Sequence, residues 1–162
     1  GARATASSAL AALGELDIVT STVAARRFGG PGSVVAASSR LGISIEQVLW
    51  SDRRAVLRAV SGADLVISTL PAGVADSLAE EMTVREGQVL LDVVYSPRET
   101  ALRSAFERNG GIVAEGTDML IFQAAAQVQL MTGRSPKTDV MRGALEAELT
   151  RRARPSGGGA AS

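Results

Sequence analysis

The sequence predicts an α/β fold on a doubly wound parallel sheet. Three observations carry that expectation. Short apolar runs rich in β-branched residues recur along the chain. Alanine-rich or amphipathic stretches separate them. Glycine, proline or serine marks the junctions. Strand and helix in strict alternation give a parallel sheet with right-handed crossovers.

Residues 4–13 are rich in Ala and Leu and read as a helix, with Gly14 as its C-cap. Residues 18–25 are apolar and β-branched, the pattern of a buried strand. Pro31 suits a helix first turn, and that helix should end by Gly42. Residues 43–49 partly alternate and read as a short strand. Ser51-Asp52 can cap a helix ending near Gly62. Asp64-Leu-Val-Ile-Ser-Thr69 is a strand, broken by Leu70-Pro-Ala-Gly73.

Residues 74–82 form a short helix. Gly87-Gln-Val-Leu-Leu-Asp-Val-Val-Tyr95 is the clearest buried strand. Residues 99–109 read as an amphipathic helix stopped by Gly110-Gly111, and residues 112–114 as a short strand. Two helices follow, at residues 118–132 and 137–152, split by Gly133 and Pro136. Residues 1–150 are expected to form one lobe. Residues 151–162 are expected to be a disordered tail, because Ala153-Arg-Pro-Ser-Gly-Gly-Gly-Ala-Ala-Ser162 is low in complexity.

A chain of 162 residues is a one-domain length. Lys plus Arg matches Asp plus Glu at 17 each, so no global charge draws it to nucleic acid or to a membrane surface. Aromatics at 3% argue against base-stacking surfaces. With no cysteine, disulfides and thiolate metal sites are excluded. With no histidine, the commonest metal ligand and general base is missing. No apolar run reaches the roughly 18 residues of a membrane span, so a cytoplasmic protein is expected.

A parallel sheet of this type begins with a strand before its first helix. This chain opens at the turn where that strand would end, so the expected sheet lacks its first, central strand. Neighbouring strand edges would then be left unpaired. Alone, the chain is expected to be unstable or to associate with itself, for instance as a homodimer. A cooperative thermal transition from a monodisperse monomer would contradict this.

The most informative stretch is Gly116-Thr-Asp-Met-Leu-Ile-Phe-Gln-Ala-Ala-Ala-Gln-Val-Gln-Leu-Met-Thr-Gly133. Gln123, Gln127 and Gln129 sit among small apolar residues. A buried amide at Gln123 would need hydrogen-bond partners, which a hydroxyl-rich substrate could supply. By composition alone the stretch is a core helix with Met119 filling space.

Together with Asp92-Val-Val-Tyr-Ser-Pro97, it resembles the C-terminal lobe of shikimate dehydrogenases. That family carries an Asp-x-x-Tyr-x-Pro turn and a Gly-x-x-Met-Leu-x-x-Gln-Ala-Ala helix at about this separation. The resemblance runs from Gly1 to about Leu149. It implies a Rossmann-like sheet, NADP as cofactor, and shikimate or 3-dehydroshikimate as substrate. By the same resemblance Val93, Gly116 and Met119 lie by the nicotinamide, while Tyr95 and Gln123 reach the substrate. Asp92 reads as a cap for nearby backbone rather than a reacting group.

A dinucleotide fold holds the pyrophosphate on a glycine-rich turn at the first helix N-terminus. In the resembled family that turn reads roughly Gly-Ala-Gly-Gly-Thr/Ala. Here it is Gly1-Ala2-Arg3-Ala4-Thr5, with Arg3 and Ala4 in place of two glycines. Arg3 either blocks the approach of phosphate to backbone or supplies a charged contact to it. Ala24-Ala-Arg-Arg-Phe28 ends the second expected strand without a carboxylate. Arg26 and Arg27 can clamp the 2′-phosphate of NADP, and Arg26 matches the family pattern at this point. Thr69-Leu-Pro-Ala-Gly73 is either a loop beside the cofactor or merely a strand stop.

The family's proton-transfer lysine and aspartate belong to a preceding N-terminal substrate lobe. Lys137, the only lysine here, falls after the motif helix and cannot be that lysine. The chain is therefore expected to hold the cofactor pocket and one wall of the substrate pocket, with no catalytic residue and no activity of its own. Two alternatives stand: an NAD-dependent quinate/shikimate dehydrogenase, and a non-catalytic nucleotide-binding or assembly module.

Overall fold

The computed structural model describes residues 1–153. Its elements follow in order: α1 Ala4–Glu15, β1 Thr20–Ala25, α2 Val34–Leu41, β2 Ser44–Leu49, α3 Arg53–Gly62, β3 Leu65–Ser68, α4 Asp76–Glu81, β4 Val89–Asp92, α5 Ala101–Arg108, β5 Ile112–Glu115, α6 Gly116–Thr132 and α7 Thr138–Ala153. The alternation expected from the sequence is present. Two compact units result, Gly1–Ala114 and a second from Glu115 onward. Of the expected tail, Arg151 to Ala153 close α7 and the remainder lies outside the described residues.

In the first unit the strands form two sheets. β1 pairs with β2 in parallel, from Thr20 opposite Ser44 to Ala25 opposite Leu49. β3 pairs with β4 in parallel, from Leu65 opposite Val89 to Ser68 opposite Asp92, and β5 lies on the far side of β4. Among the described residues no ladder joins β1 to β3. The sheet is thus interrupted at the position the sequence predicts.

Two apolar clusters pack on the strands. The larger gathers Val48, Val56, Leu78, Leu90, Leu102 and Phe106, among others. The smaller holds Ala2, Leu10, Ala25, Val34, Ala37 and Ile43. Val23 contacts the smaller cluster and its neighbour Ala24 the larger. Successive strand residues point to opposite faces, so the clusters lie on opposite faces of β1.

Several local expectations are corrected. Gly14 does not cap α1 but lies inside it; a Cβ there would stand 2.8 Å from Ile43 Cδ1. Its role is close approach of the helix to β2. The chain turns after α1 through Asp17, at φ 59°. Pro31 does not open α2. Ser33 caps that helix by accepting from the Ala36 amide at 3.4 Å, and Gly42 ends it at φ 68°. A hydroxyl acceptor satisfies an orphan amide, which proline cannot do.

Asp52 caps α3 as expected, accepting from the Ala55 amide at 3.0 Å. The expected buried strand at 18–25 is only partly buried: Ile18 is 38% and Val19 63% exposed. Both lie ahead of β1, outside its ladder with β2. The strand expected at 87–95 is reduced to β4, because the chain turns after Asp92.

Candidate functional site

The carboxyl ends of β1, β3 and β4 gather the first unit's candidate residues. Gly1 lies between the first two. Its amino group donates to the Ala24 carbonyl at 3.1 Å. A Cβ on Gly1 would stand 2.7 Å from Thr69 Oγ1 and 3.4 Å from the Thr69 carbonyl oxygen. A side chain on Gly1 would have to turn the Thr69 hydroxyl aside, so Gly1 packs closely between the β1 end and the start of the Thr69 loop. Burial lowers the Gly1 amine pKa from its ordinary value.

Ala2 is buried, and its carbonyl accepts from the Val34 amide at 3.2 Å, tying the turn to the start of α2. Arg3 takes the N-cap position of α1 at φ −107°, ψ −166°, without capping through its side chain. That is ordinary extended backbone, so replacing glycine here carries no conformational strain. The guanidinium leans over the following loop: Arg3 Nη1 is 3.8 Å from where a Gly30 Cβ would sit. Ala4 and Thr5 are exposed in the first turn. Ser7 Oγ donates to the Gly32 carbonyl at 3.2 Å, fixing α1 against the same loop.

Arg26 and Arg27 are exposed just beyond the β1 end, on that loop. Arg26 and Arg27 thus follow the strand end that Gly1 touches, and Arg3 precedes the N-terminus of α1. The first-turn amides of a helix are unsatisfied donors at the positive end of its dipole. Flanking arginines add forked donors, so the chemistry suits a multiply charged phosphate ligand.

At the β4 end, Asp92 is buried and accepts twice. Thr100 Oγ1 donates to Asp92 Oδ2 at 2.8 Å, and the Val94 amide donates to Oδ1 at 3.3 Å. Thr100 in turn caps α5, accepting from the Arg103 amide at 3.1 Å. Asp92 thus holds the 92–100 turn in shape, the capping role read from the sequence. Val93 donates its amide to the Ser68 carbonyl at 3.1 Å, registering the turn against β3. Val93 is half-buried, and Tyr95 is 42% exposed on the turn.

The remaining candidates belong to the second unit. Gly116 is buried at the start of α6, with Met119 half-buried and Gln123 exposed further along. Gly133 ends α6 at φ 68°. Asp118 and Arg142 form an ion pair between α6 and α7. The hydrogen bond from Arg142 to Asp118 pushes the guanidinium pKa up from its ordinary value and ties the two helices together.

The buried amide sought at Gln123 is found instead at Gln88. Gln88 is 3% exposed. Its Nε2 donates to the Val60 and Ala63 carbonyls, each at 2.6 Å, and its Oε1 accepts from the Arg85 amide at 3.1 Å. It satisfies the end of α3, a structural task. A polar residue leading directly into the apolar run 89–91 was the available signal. Among the described residues no cluster of acidic side chains could hold a metal ion, and no helix is long and apolar enough to cross a membrane.

Comparison with known proteins completes the description. A family model for the shikimate 5′-dehydrogenase C-terminal domain matches residues 116–146. The NADP(+) shikimate dehydrogenase of Methanothermobacter thermautotrophicus is 36% identical over 97 residues, covering 57% of this chain and 34% of that protein. The crystal structure of Mycobacterium tuberculosis shikimate dehydrogenase superposes with a TM-score of 0.76 at 35% identity, over 88% of this chain and 53% of that one. A shikimate 5-dehydrogenase from Mycobacterium fortuitum gives 0.72 at 34% identity, over 84% and 50%. The match spans about a third of the curated relative's length and about half of each solved chain.

Proposed function

From a chain that carries the C-terminal region of a shikimate dehydrogenase, we infer the NADP-binding part of an enzyme that interconverts 3-dehydroshikimate and shikimate. The observation that carries this reading is the position of Gly1. It sits between Ala24 and Thr69 at the carboxyl ends of two strands, directly ahead of the α1 N-terminus. In open α/β sheets ligands bind beyond those strand ends, where a helix N-terminus can receive the pyrophosphate.

The residues present fit that cofactor. The α1 first turn would take the pyrophosphate, and Arg26 and Arg27 the 2′-phosphate. Arg3, unstrained and leaning over the loop that follows β1, adds a charged donor rather than a steric block. When bound, the nicotinamide would supply or accept the hydride. Val93, Gly116 and Met119 would orient the ring, and Tyr95 and Gln123 the hydroxylated substrate.

Proton transfer is assigned elsewhere. None of the candidate residues forms an acid–base pair, and Asp92 is committed to Thr100 and the Val94 amide. We therefore assign the proton-transfer pair to a separate N-terminal substrate lobe and expect this chain alone to show no dehydrogenase activity. A soluble, cytoplasmic role in making aromatic precursors fits this reading.

Fluorescence titration with NADP and NAD tests the cofactor assignment. Tighter binding of NADP is expected, and tighter binding of NAD would favour a quinate/shikimate dehydrogenase of the NAD type. Shikimate-dependent NADPH formation by the purified chain would refute the assignment of proton transfer to another lobe.

A further inference from the structure

By its place in the opening turn, Arg3 would serve the pyrophosphate. Its side chain is turned elsewhere. The Arg3 backbone is extended, at φ −107° and ψ −166°, and the side chain accepts no part in capping α1. Nη1 lies 3.8 Å from where a Gly30 Cβ would sit, against the loop that runs from the β1 end to α2. Gly30 has φ 104°, a conformation suited to glycine, and so presents bare backbone to the guanidinium.

Hydrogen bonds fix that loop relative to Arg3. The Val34 amide donates to the Ala2 carbonyl at 3.2 Å, and Ser7 Oγ donates to the Gly32 carbonyl at 3.2 Å. These two ties lie on either side of Arg3 in the chain. Within the loop, the Ser33 amide donates to the Gly30 carbonyl at 3.2 Å. The base of Arg3 is held as well, because its carbonyl accepts from the Ser7 amide at 2.9 Å. Arg3 therefore meets residues 30–34 in a set geometry.

Its charge is uncompensated. Among the described residues the Arg3 guanidinium has neither a hydrogen-bond acceptor nor an ionic partner. No Asp or Glu occurs between Asp17 and Glu46, so the loop brings no carboxylate of its own. Arg26 and Arg27 open the same loop in sequence.

We propose that Arg3 is a specificity-determining residue for the 2′-phosphate of NADP rather than a ligand of the pyrophosphate. The inference rests on the nucleotide reading given above. In dinucleotide folds the residues just beyond the second strand meet the ribose 2′ position, where an acid selects the hydroxyl and an arginine the phosphate. Arg3 reaches that loop from the opening turn, a route closed to a residue without a side chain. Its forked N–H donors can hold two phosphate oxygens at once. The first-turn amides of α1 then remain for the pyrophosphate.

Calorimetric titration with 2′,5′-ADP and with 5′-AMP, which differ only by the 2′-phosphate, tests this on the chain and on Arg3→Ala. Arg3 is exposed and makes no side-chain cap, so the variant should fold, and its thermal midpoint verifies that. The expected result is roughly tenfold or more weaker binding of 2′,5′-ADP, with 5′-AMP changed by less than about twofold. Arg3→Lys, which keeps the charge without the fork, should recover only part of the loss. Equal weakening for both nucleotides would place Arg3 at the pyrophosphate and overturn the proposal. No change for either, or tighter binding of both, overturns it too, the first marking an idle cation and the second a steric block. If the unaltered chain binds neither nucleotide, the nucleotide reading itself falls and this inference with it, an outcome distinct from the other three.

Discussion

The Thr100 hydroxyl donates to the buried Asp92 carboxylate at 2.8 Å while accepting from the Arg103 amide at 3.1 Å. One side chain thereby joins the carboxyl end of β4 to the amino end of α5. It also shapes the turn that bears Val93 and Tyr95. Replacing Thr100 by valine keeps the volume but deletes both bonds. A loss of about 1–3 kcal/mol is expected, from a buried acceptor left without its donor and an uncapped helix. Urea unfolding measures it, and a loss below about 0.5 kcal/mol, the range of neutral surface changes, would show the pair to be incidental.

Gly111 and Gly14 offer a contrast. A Cβ at Gly111 would stand 2.9 Å from Phe106 Cδ1, 3.0 Å from the Phe106 carbonyl oxygen and 3.1 Å from the Gln88 carbonyl oxygen. Two of those neighbours are backbone and cannot turn aside. At Gly14 the contact is a side-chain tip, Ile43 Cδ1, and alanine there gains about 1 kcal/mol of helix propensity. Gly111→Ala should therefore destabilise by about 1–3 kcal/mol, the range for overpacking, and Gly14→Ala by much less. Equal unfolding midpoints for the two variants would contradict the geometry.

For the purified chain starting at Gly1, the Gly1 amine supplies a pH dependence with a definite sign. Burial lowers its pKa from 8.0, so the unfolded chain binds the proton more tightly than the folded one. Stability should rise with pH from the lowered folded value up to about 8 and level off above it. Few other groups titrate there, since the chain has neither histidine nor cysteine. Thermal midpoints from pH 6 to pH 9 would show the rise. Acetylation of the amine should flatten it, and a slope that survives acetylation belongs to another group.

Arg26 and Arg27 should discriminate between cofactors. If they hold the 2′-phosphate, the double substitution Arg26→Ala/Arg27→Ala removes charge-assisted bonds worth about 1.5–3 kcal/mol each, a loss of roughly a hundredfold or more in NADP binding. NAD, which lacks that phosphate, should bind unchanged. An equal loss for both dinucleotides would indicate a general electrostatic effect instead.

Much of this architecture is legible in the residues. Strand and helix alternation follows from the apolar runs. Asp52, Gly42 and Gly133 serve as the caps their types predict. What escaped depends on contacts distant in sequence. Gly14 reads as a cap until Ile43 is seen against it, and Gln88 reads as a strand residue until its two carbonyl partners on α3 appear. Pro31 signals a helix start, yet the hydroxyl of Ser33 does the capping. The candidate site divides in the same way. The arginines and the opening turn are read through the family resemblance and Asp92 as a cap for nearby backbone, whereas its bond to Thr100, eight residues on, needs the structure.

The unequal clusters on the two faces of β1 bear on how the first unit comes apart. The smaller has three alanines among its six buried residues and draws on α1, α2, β1, β2 and the loops beside them. The larger is filled by Phe106, Leu90 and Met82 and reaches from Val48 to Leu90, beneath the break in the sheet. Opening free energy scales with the apolar contacts surrendered, so deuterium uptake should come in two tiers. Amides of α1 and α2 would exchange first, while β4 and α5 hold out as the last cooperative remnant.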